Sequence, residues 1–372
     1  MRFGNLLLCI LFLTSVPNLY SQSKTENLFV ITLDGLRWQE LFSGADAALI
    51  QNGQYVKDTA TLIKRFWNDD PGKRRKKLMP FFWSTLAAKG QIYGNRQKNS
   101  PVNCTNIFHF SYPGYAEILC GFSDAQNIRS NEKINNPNQT FLEILNHNKK
   151  FRGKVAAFTS WDVFPYIINE DRSGIYVNAG FDHCEEAKLT REEKMLNKLQ
   201  DEIPSPWSSV RLDAFTYNYA KAYIKKHHPK VVFISFGETD DFAHDGRYDH
   251  YLNSARQTDQ FIADLWDMVQ RSKTYRNKTT FVISTDHGRG EGDDWTSHGS
   301  RIEGSDAIWI AVLGPDSPAV GEVLNSKQLW QNQIAATCMS LLNQPFPEQG
   351  IEAGKPIETC QQDVNKKGSE IK

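Results

Sequence analysis

Three apolar, largely β-branched segments of this 372-residue chain each run into acidic residues. Residues 28–33 lead to Asp34-Gly35, residues 231–236 to Glu238, Asp240, Asp241 and His244, and residues 281–285 to Asp286-His287-Gly288. Apolar runs of this length read as strands buried on both faces, and such strands belong to parallel sheets covered by helices. In open α/β sheets the ligand crevice lies outside the carboxyl ends of the strands. A chain that delivers carboxylate and imidazole to that edge three times is expected to build a metal site there.

The segments between agree with this frame. Residues 78–89 read as a helix, with Gly90 where a C-cap glycine belongs. Residues 91–95 and 155–158 read as short strands, and 140–148 as a short helix. Leu212, Phe215, Tyr219, Ala222 and Tyr223 keep helical spacing; Tyr251, Ala255, Thr258, Ile262, Leu265 and Val269 mark a long amphipathic helix. Residues 308–313 read as a further strand and 326–342 as a closing helix. Strands alternating with helices predict an α/β fold, a mainly parallel central sheet with helices on both faces. Two polar stretches, about 43–78 and 170–210, carry turn signals and are expected to be small cap insertions.

The 43 basic and 43 acidic residues balance to zero net charge. That excludes bulk attraction to nucleic acid or to a membrane surface, and no nucleic-acid-binding domain is expected. The basic run at residues 73–77 reads as a solvated helix start. Met1-Arg2 followed by the apolar residues 6–13 reads as a signal peptide, residues 1–22. Its core falls short of the roughly 20 apolar residues of a bilayer span. Residues 23–372 are then expected to form a single exported catalytic domain, periplasmic or secreted, without a membrane span. Beyond the signal stand Cys104, Cys120, Cys184, Cys338 and Cys360. Export permits disulfides, and Cys338 with Cys360 is the candidate C-terminal staple. Oligomeric state has no signature.

Asp240 and His244 are four apart, so one turn after a strand aims both at one ion. Asp286, His287 and Asp34 add three ligands, and His298 lies in a Gly-rich loop, residues 289–299, able to fold back on them. Ser111 precedes a helix-like stretch whose Pro113 suits a first turn, and the N–H groups at such a terminus favour an anion. Carboxylates and imidazoles without thiolate suit Zn²⁺, with Mn²⁺ as the alternative. Six ligands and a hydroxyl exceed one tetrahedral ion and suit two, which in such sites sit roughly 3.5–4 Å apart. Such a pair clamps the attacking and leaving oxygens of a displacement at phosphorus and activates a serine hydroxyl.

In this order the residues resemble the alkaline phosphatase superfamily, most closely its type I phosphodiesterase/nucleotide pyrophosphatase branch. The pattern is Asp34, then Ser111-Tyr112-Pro113, Asp240 with His244, Asp286-His287-Gly288 and His298. The resemblance implies one zinc on Asp240, His244 and His298, a second on Asp34, Asp286 and His287 with Ser111 leaning on it, and Asn131 on a phosphoryl oxygen. Asn127 and Asn135 compete for that last place. Tyr115 stands where related sulfatases carry Arg, and Thr159-Ser160-Trp161-Asp162 where related monoesterases carry Lys-x-Arg. Arg129, Lys133 and Arg172 are the candidate replacement cations. Trp38, Trp161, Phe164 and Tyr166 are candidates to line a pocket, and Asp241 and Asp245 to orient ligands. The expected protein is an exported two-metal hydrolase of small phosphoric esters, using a serine nucleophile and a phosphoseryl intermediate and leaning to diesters or nucleotide-like substrates. A phosphomonoesterase or phosphotransferase is the alternative. A sulfatase, or an inactive metal-bearing binding protein, fits less well.

Overall fold

The three apolar segments become adjacent strands. A computed structural model describes residues 24–347 and 353–360, so the expected signal peptide lies outside the described residues. In chain order the strands are β1 (Asn27–Leu33), β2 (Gln91–Tyr93), β3 (Val102–Asn103), β4 (Val155–Thr159), β5 (Tyr176–Ala179), β6 (Val231–Phe236), β7 (Thr279–Ser284), β8 (Ile310–Leu313), β9 (Gly321–Glu322) and β10 (Leu329–Trp330). Eight form one sheet in the order β5-β4-β6-β1-β7-β8-β2-β9, and β10 pairs with β3 in a small second one. Only β8 runs against its neighbours in the large sheet. The expected α/β architecture is therefore present.

Residues alternate between the two sheet faces, and both faces are covered. Phe29, Ile31, Ile234 and Ile283 face a core completed by the helix Tyr248–Arg271 through Tyr251, Leu252, Ala255, Ile262 and Leu265. Val30, Phe233 and Val282 face a second core, completed by the helices Ser111–Cys120 and Gln333–Leu341. Every residue of β1, β6 and β7 is buried. At roughly 25 cal/mol per Å² of apolar surface removed from water, these three strands have little freedom to shift register. Leu33 pairs with Phe236 and Thr32 with both Ser235 and Ser284, so the three carboxyl ends lie side by side.

Both stretches expected as cap insertions belong to the body of the fold. Residues 43–78 are largely helical: Thr59–Phe66 and Pro71–Leu78 are capped by Asp58 and Asp70, whose carboxylates accept from Thr61 N and Lys73 N. In the basic run Lys73, Lys76 and Lys77 are solvated as expected, but Arg74 and Arg75 staple the helix to the body. Arg74 Nε donates to Ser43 O at 2.8 Å, and the Arg75 guanidinium lies 3.4 Å above the Trp83 ring. Residues 170–210 supply β5, the edge strand of the large sheet, and the helix Arg191–Glu202, which starts at a Thr190/Glu193 capping box. Gly90 does end a helix, but its backbone is extended rather than left-handed. Glycine is required there because a Cβ would stand 2.3 Å from Val312 O. Cys338 and Cys360 are free buried thiols in the second core, so the expected staple is not formed. No helix among the described residues is long and apolar enough to cross a membrane.

Arg172, a candidate pocket cation, has a structural task instead. Its guanidinium holds the fully buried Glu143 at 2.8 Å and donates to the carbonyls of Asn136, Pro137 and Asn138. Arg172→Ala is expected to cost about 3 kcal/mol, because it strands a buried carboxylate. A urea-denaturation midpoint equal to wild type would show that water replaces the guanidinium.

Candidate active site

Neighbouring strands bring the acidic residues together. Asp34 continues β1, with its N–H donating to Phe236 O at 2.9 Å, and Asp286 and His287 follow β7 after one residue. Beyond β6 the chain turns into the helix Glu238–His244, which carries Asp240 in its first turn and His244 in its last. Gly35 makes the turn after Asp34 with φ of +57°, and a Cβ there would stand 2.7 Å from Asp240 Oδ1.

One half of the cluster is a triangle of lone pairs. Tyr115 OH donates to Asp34 Oδ2 at 2.9 Å, and Gly35 N donates to Asp286 Oδ1 at 3.1 Å. Their other oxygens, Asp34 Oδ1 and Asp286 Oδ2, are buried and accept no hydrogen bond. Each lies 3.3 Å from His287 Nε2. His287 Nδ1 is 2.9 Å from Gly288 O, so it carries the ring proton and leaves Nε2 as a bare lone pair. Two carboxylate oxygens without a donor thus converge on an imidazole nitrogen that faces the Ser111 hydroxyl. Burial and the nearby Asp240 push the Asp34 pKa well up, and burial and Asp34 do the same to Asp286. A dication fits this donor set: two carboxylate oxygens and an imidazole nitrogen, with Ser111 Oγ 3.4 Å from His287 Nε2.

The other half joins Asp240, His244 and His298. His298 Nε2 lies 3.7 Å from Asp240 Oδ1 and 3.0 Å from His244 Nε2, which is 3.2 Å from Asp240 Oδ2. The 289–299 loop does fold back, and the His298 ring stacks on His287 with centroids 3.9 Å apart. Burial and His287 push the His298 pKa down to about 2. Its neutral ring has Nδ1 3.1 Å from His109 O, so Nε2 again faces the cluster. Burial opposes ionisation of Asp240, yet the Arg289 guanidinium, with His244 beside it, holds its pKa well below the usual carboxylate range.

Ser111 opens the helix Ser111–Cys120, and Asn131 Oδ1 accepts from Tyr112 N at 3.0 Å. Asn131 therefore stands at the head of the Ser111 helix. Its competitors do not: Asn127 bonds Asp124, and Asn135 lines a cavity further along. Phe164 is core, edge-on to Tyr115, whereas Tyr166 lines that cavity. Asp245 accepts from Trp207 Nε1 at 3.1 Å, and burial with Asp240 pushes the Asp241 pKa up to about 9.

Several residues that shape the site carry no sequence signal. Arg289 is buried and bonds Asp240. Glu117, on the Ser111 helix, is fully buried and accepts from Thr105 N, Thr105 Oγ1, Asn106 N and Asn106 Nδ2, each at 2.8 Å. Asn106 Oδ1 in turn accepts from His109 N at 2.9 Å. His109 is held at φ of +53°, which presents its carbonyl to His298. The helix that carries Ser111 thus also aims His298.

The profile of the type I phosphodiesterase / nucleotide pyrophosphatase family matches residues 50–303. That span holds Ser111, Asp240, His244, Asp286, His287 and His298 and begins after Asp34. No curated protein sequence matches the chain. Among solved structures, the wild type alkaline phosphatase PafA is 11% identical with a TM-score of 0.60, over 91% of this chain and 99% of its own. The phosphonate monoester hydrolase of Agrobacterium radiobacter is 12% identical with a TM-score of 0.56, over 90% and 77%. The lipoteichoic acid synthase LtaP of Listeria monocytogenes is 12% identical with a TM-score of 0.55, over 87% and 73%. At these identities the likeness shows an alkaline phosphatase-like fold.

Glu117→Gln puts an amide NH₂ against a ring of donors. It is expected to lose about 2 kcal/mol of stability. Unchanged thermal and urea midpoints would show that the loop before Ser111 does not depend on this carboxylate.

Proposed function

The chain belongs to the type I phosphodiesterase/nucleotide pyrophosphatase family, and on that footing we propose that it is an exported two-metal hydrolase of phosphoric esters with Ser111 as nucleophile. The observation that carries this reading is the triangle of Asp34 Oδ1, Asp286 Oδ2 and His287 Nε2 beside the Ser111 hydroxyl. Two divalent ions, Zn²⁺ or alternatively Mn²⁺, held by Asp34, Asp286 and His287 and by Asp240, His244 and His298, would lower the pKa of the Ser111 hydroxyl and neutralise phosphoryl oxygens.

The protein's own groups do the rest. Ser111, at the start of its helix, is buried, which narrows the line of attack open to it. Asn131 Oδ1 is taken by Tyr112 N, so the Asn131 amide NH₂ is the group available to a phosphoryl oxygen. Ser111 Oγ forms a bond to phosphorus as the bond to the leaving alcohol breaks. Water then cleaves the phosphoseryl ester and restores the hydroxyl.

Charge around the site favours diesters or nucleotide-like substrates. A monoester dianion wants further cationic partners. Past β4, Asp162 stands in their place and holds Lys133 at 2.8 Å. A cavity of about 540 Å³ beside it is lined by Asp162, Glu170, Asp171 and Asp182 with Lys133 and Tyr166. Tyr112, next to the nucleophile, connects the two through its OH, 3.3 Å from Tyr166 O. Such a lining suits a substituent on a singly charged phosphodiester better than a second phosphate charge. Export rests on the signal-like residues 1–22.

Ser111→Ala is expected to lower kcat by on the order of a thousandfold or more while the metal content stays near two zinc ions per chain. Activity within tenfold of wild type would replace the serine nucleophile by direct water attack. Substrate class is decided by kcat/KM for matched aryl mono- and diesters on one zinc-loaded preparation. The diester is expected to win, and a hundredfold preference for the monoester would reject the diesterase reading.

A further inference from the structure

The two halves of the cluster differ in charge before any metal arrives. Asp34 and Asp286 bring two carboxylates, and among the described residues no cationic side chain bonds either of them. Asp240 brings one, and it is already paired with the buried Arg289, which bonds its Oδ1 through Nη1. Arg289 is not free to leave. Its Nε donates to Trp295 O at 2.8 Å and its Nη2 to Thr296 O at 2.5 Å, both in the loop that carries His298.

The imidazoles differ in the same sense. His287 and His298 give their Nδ1 protons to backbone carbonyls, which frees Nε2. His244 has the opposite arrangement. Arg289 Nη2 lies 3.4 Å from His244 Nδ1. A guanidinium only donates, so Nδ1 is the acceptor and the proton sits on Nε2. That Nε2 is the atom facing His298 at 3.0 Å and Asp240 at 3.2 Å. An ion entering this half must take Asp240 from Arg289 and displace the Nε2 proton. An ion entering the other half meets two unpaired oxygens and a nitrogen lone pair that faces the Ser111 hydroxyl at 3.4 Å.

We propose that Arg289 is an internal counter-ion that makes the two metal subsites unequal. The Asp34–Asp286–His287 subsite loads first and tightly. The Asp240–His244–His298 subsite loads second, against competition from the guanidinium. This rests on the two-metal reading above and adds an order of filling and the residue that sets it. It also makes the second ion the exchangeable one.

The experiment is a Co²⁺ titration of the chelator-stripped full chain. Bound metal is measured by elemental analysis after dialysis, and each event is followed by its d–d absorption. Wild type is expected to take two ions with affinities about tenfold or more apart. His244→Ala, at a half-exposed position, should remove the weaker event and leave the tighter one. Arg289→Gln should tighten the weaker event by about tenfold, and Arg289→Lys, which keeps the charge, should restore the gap. Equal affinities in wild type, loss of the tighter event in His244→Ala, or an unchanged gap in Arg289→Gln would overturn the inference while leaving two metals in place. A wild-type chain that saturates at one ion would remove the two-metal reading and this inference with it. If Arg289→Gln does not fold, the assignment of events by His244→Ala decides.

Discussion

Two carboxylates buried side by side, Asp34 and Asp286, are the constraint on which the site depends. Each unpaired charge taken out of water costs several kcal/mol, and here each acid keeps one oxygen without a donor. Elsewhere a chain relieves such crowding by moving a strand or turning a side chain outward. This one cannot, because β1 lies between β6 and β7 and all three are packed on both faces. Two hydrophobic cores hold the backbone in register, and the register holds the oxygens together. The remaining relief is to bind positive charge, as protons or as a metal ion, which is what the raised pKa values of both acids express.

Around that constraint the hydrogen bonds aim rather than neutralise. Tyr115 occupies one oxygen of Asp34, and Ser235 orients Tyr115 by donating to its OH at 3.0 Å. Thr239 Oγ1 donates to Asp34 O at 2.5 Å, which ties the turn after β1 to the helix bearing Asp240. The path from Glu117 through Asn106 to His109 ends at the Nδ1 of His298, and its left-handed residue costs about 1–2 kcal/mol. These groups make no contact that a ligand would need. They set which nitrogen and which oxygen face inward, and a buried metal site requires that to be settled in advance.

Asp34, Asp240 and Asp286 stand together because each lies just beyond a strand, and an apolar run that ends in Asp can be read without any tertiary information. The long helix Tyr248–Arg271 was legible for the same kind of reason, its apolar face repeating through Val269. What escaped was local structure inside polar sequence. Asn52-Gly53 and Pro71-Gly72 look like loop, yet Pro71 and Gly72 open a helix behind the cap residue Asp70. Thr190 and Glu193 spell the capping box that opens the helix Arg191–Glu202, but the surrounding mixed charge masks it. β5 has four residues and a partly polar face, too short to show a period. Arg289 and Glu117 were invisible for a different reason. A buried charge is defined by its partners, and Asp240 is 49 positions from Arg289.

Charge also connects the cluster to the choice of substrate. The metal-binding half nearest Ser111 has two negative charges to offset, so much of an ion's positive charge there is spent within the protein. At the other half Arg289 contributes a positive charge, but Asp240 already absorbs it. Lys133, two residues from Asn131, is matched in the same way by Asp162. Arg289 and Lys133 therefore each come with a carboxylate, which leaves less uncompensated charge for a dianionic phosphoryl group. A phosphodiester asks for less of it, and on the proposed reading its second substituent would lie in the cavity that Tyr166 and Asp162 line. The proposed preference for a singly charged ester rests on this pairing of Arg289 and Lys133 with carboxylates of the protein.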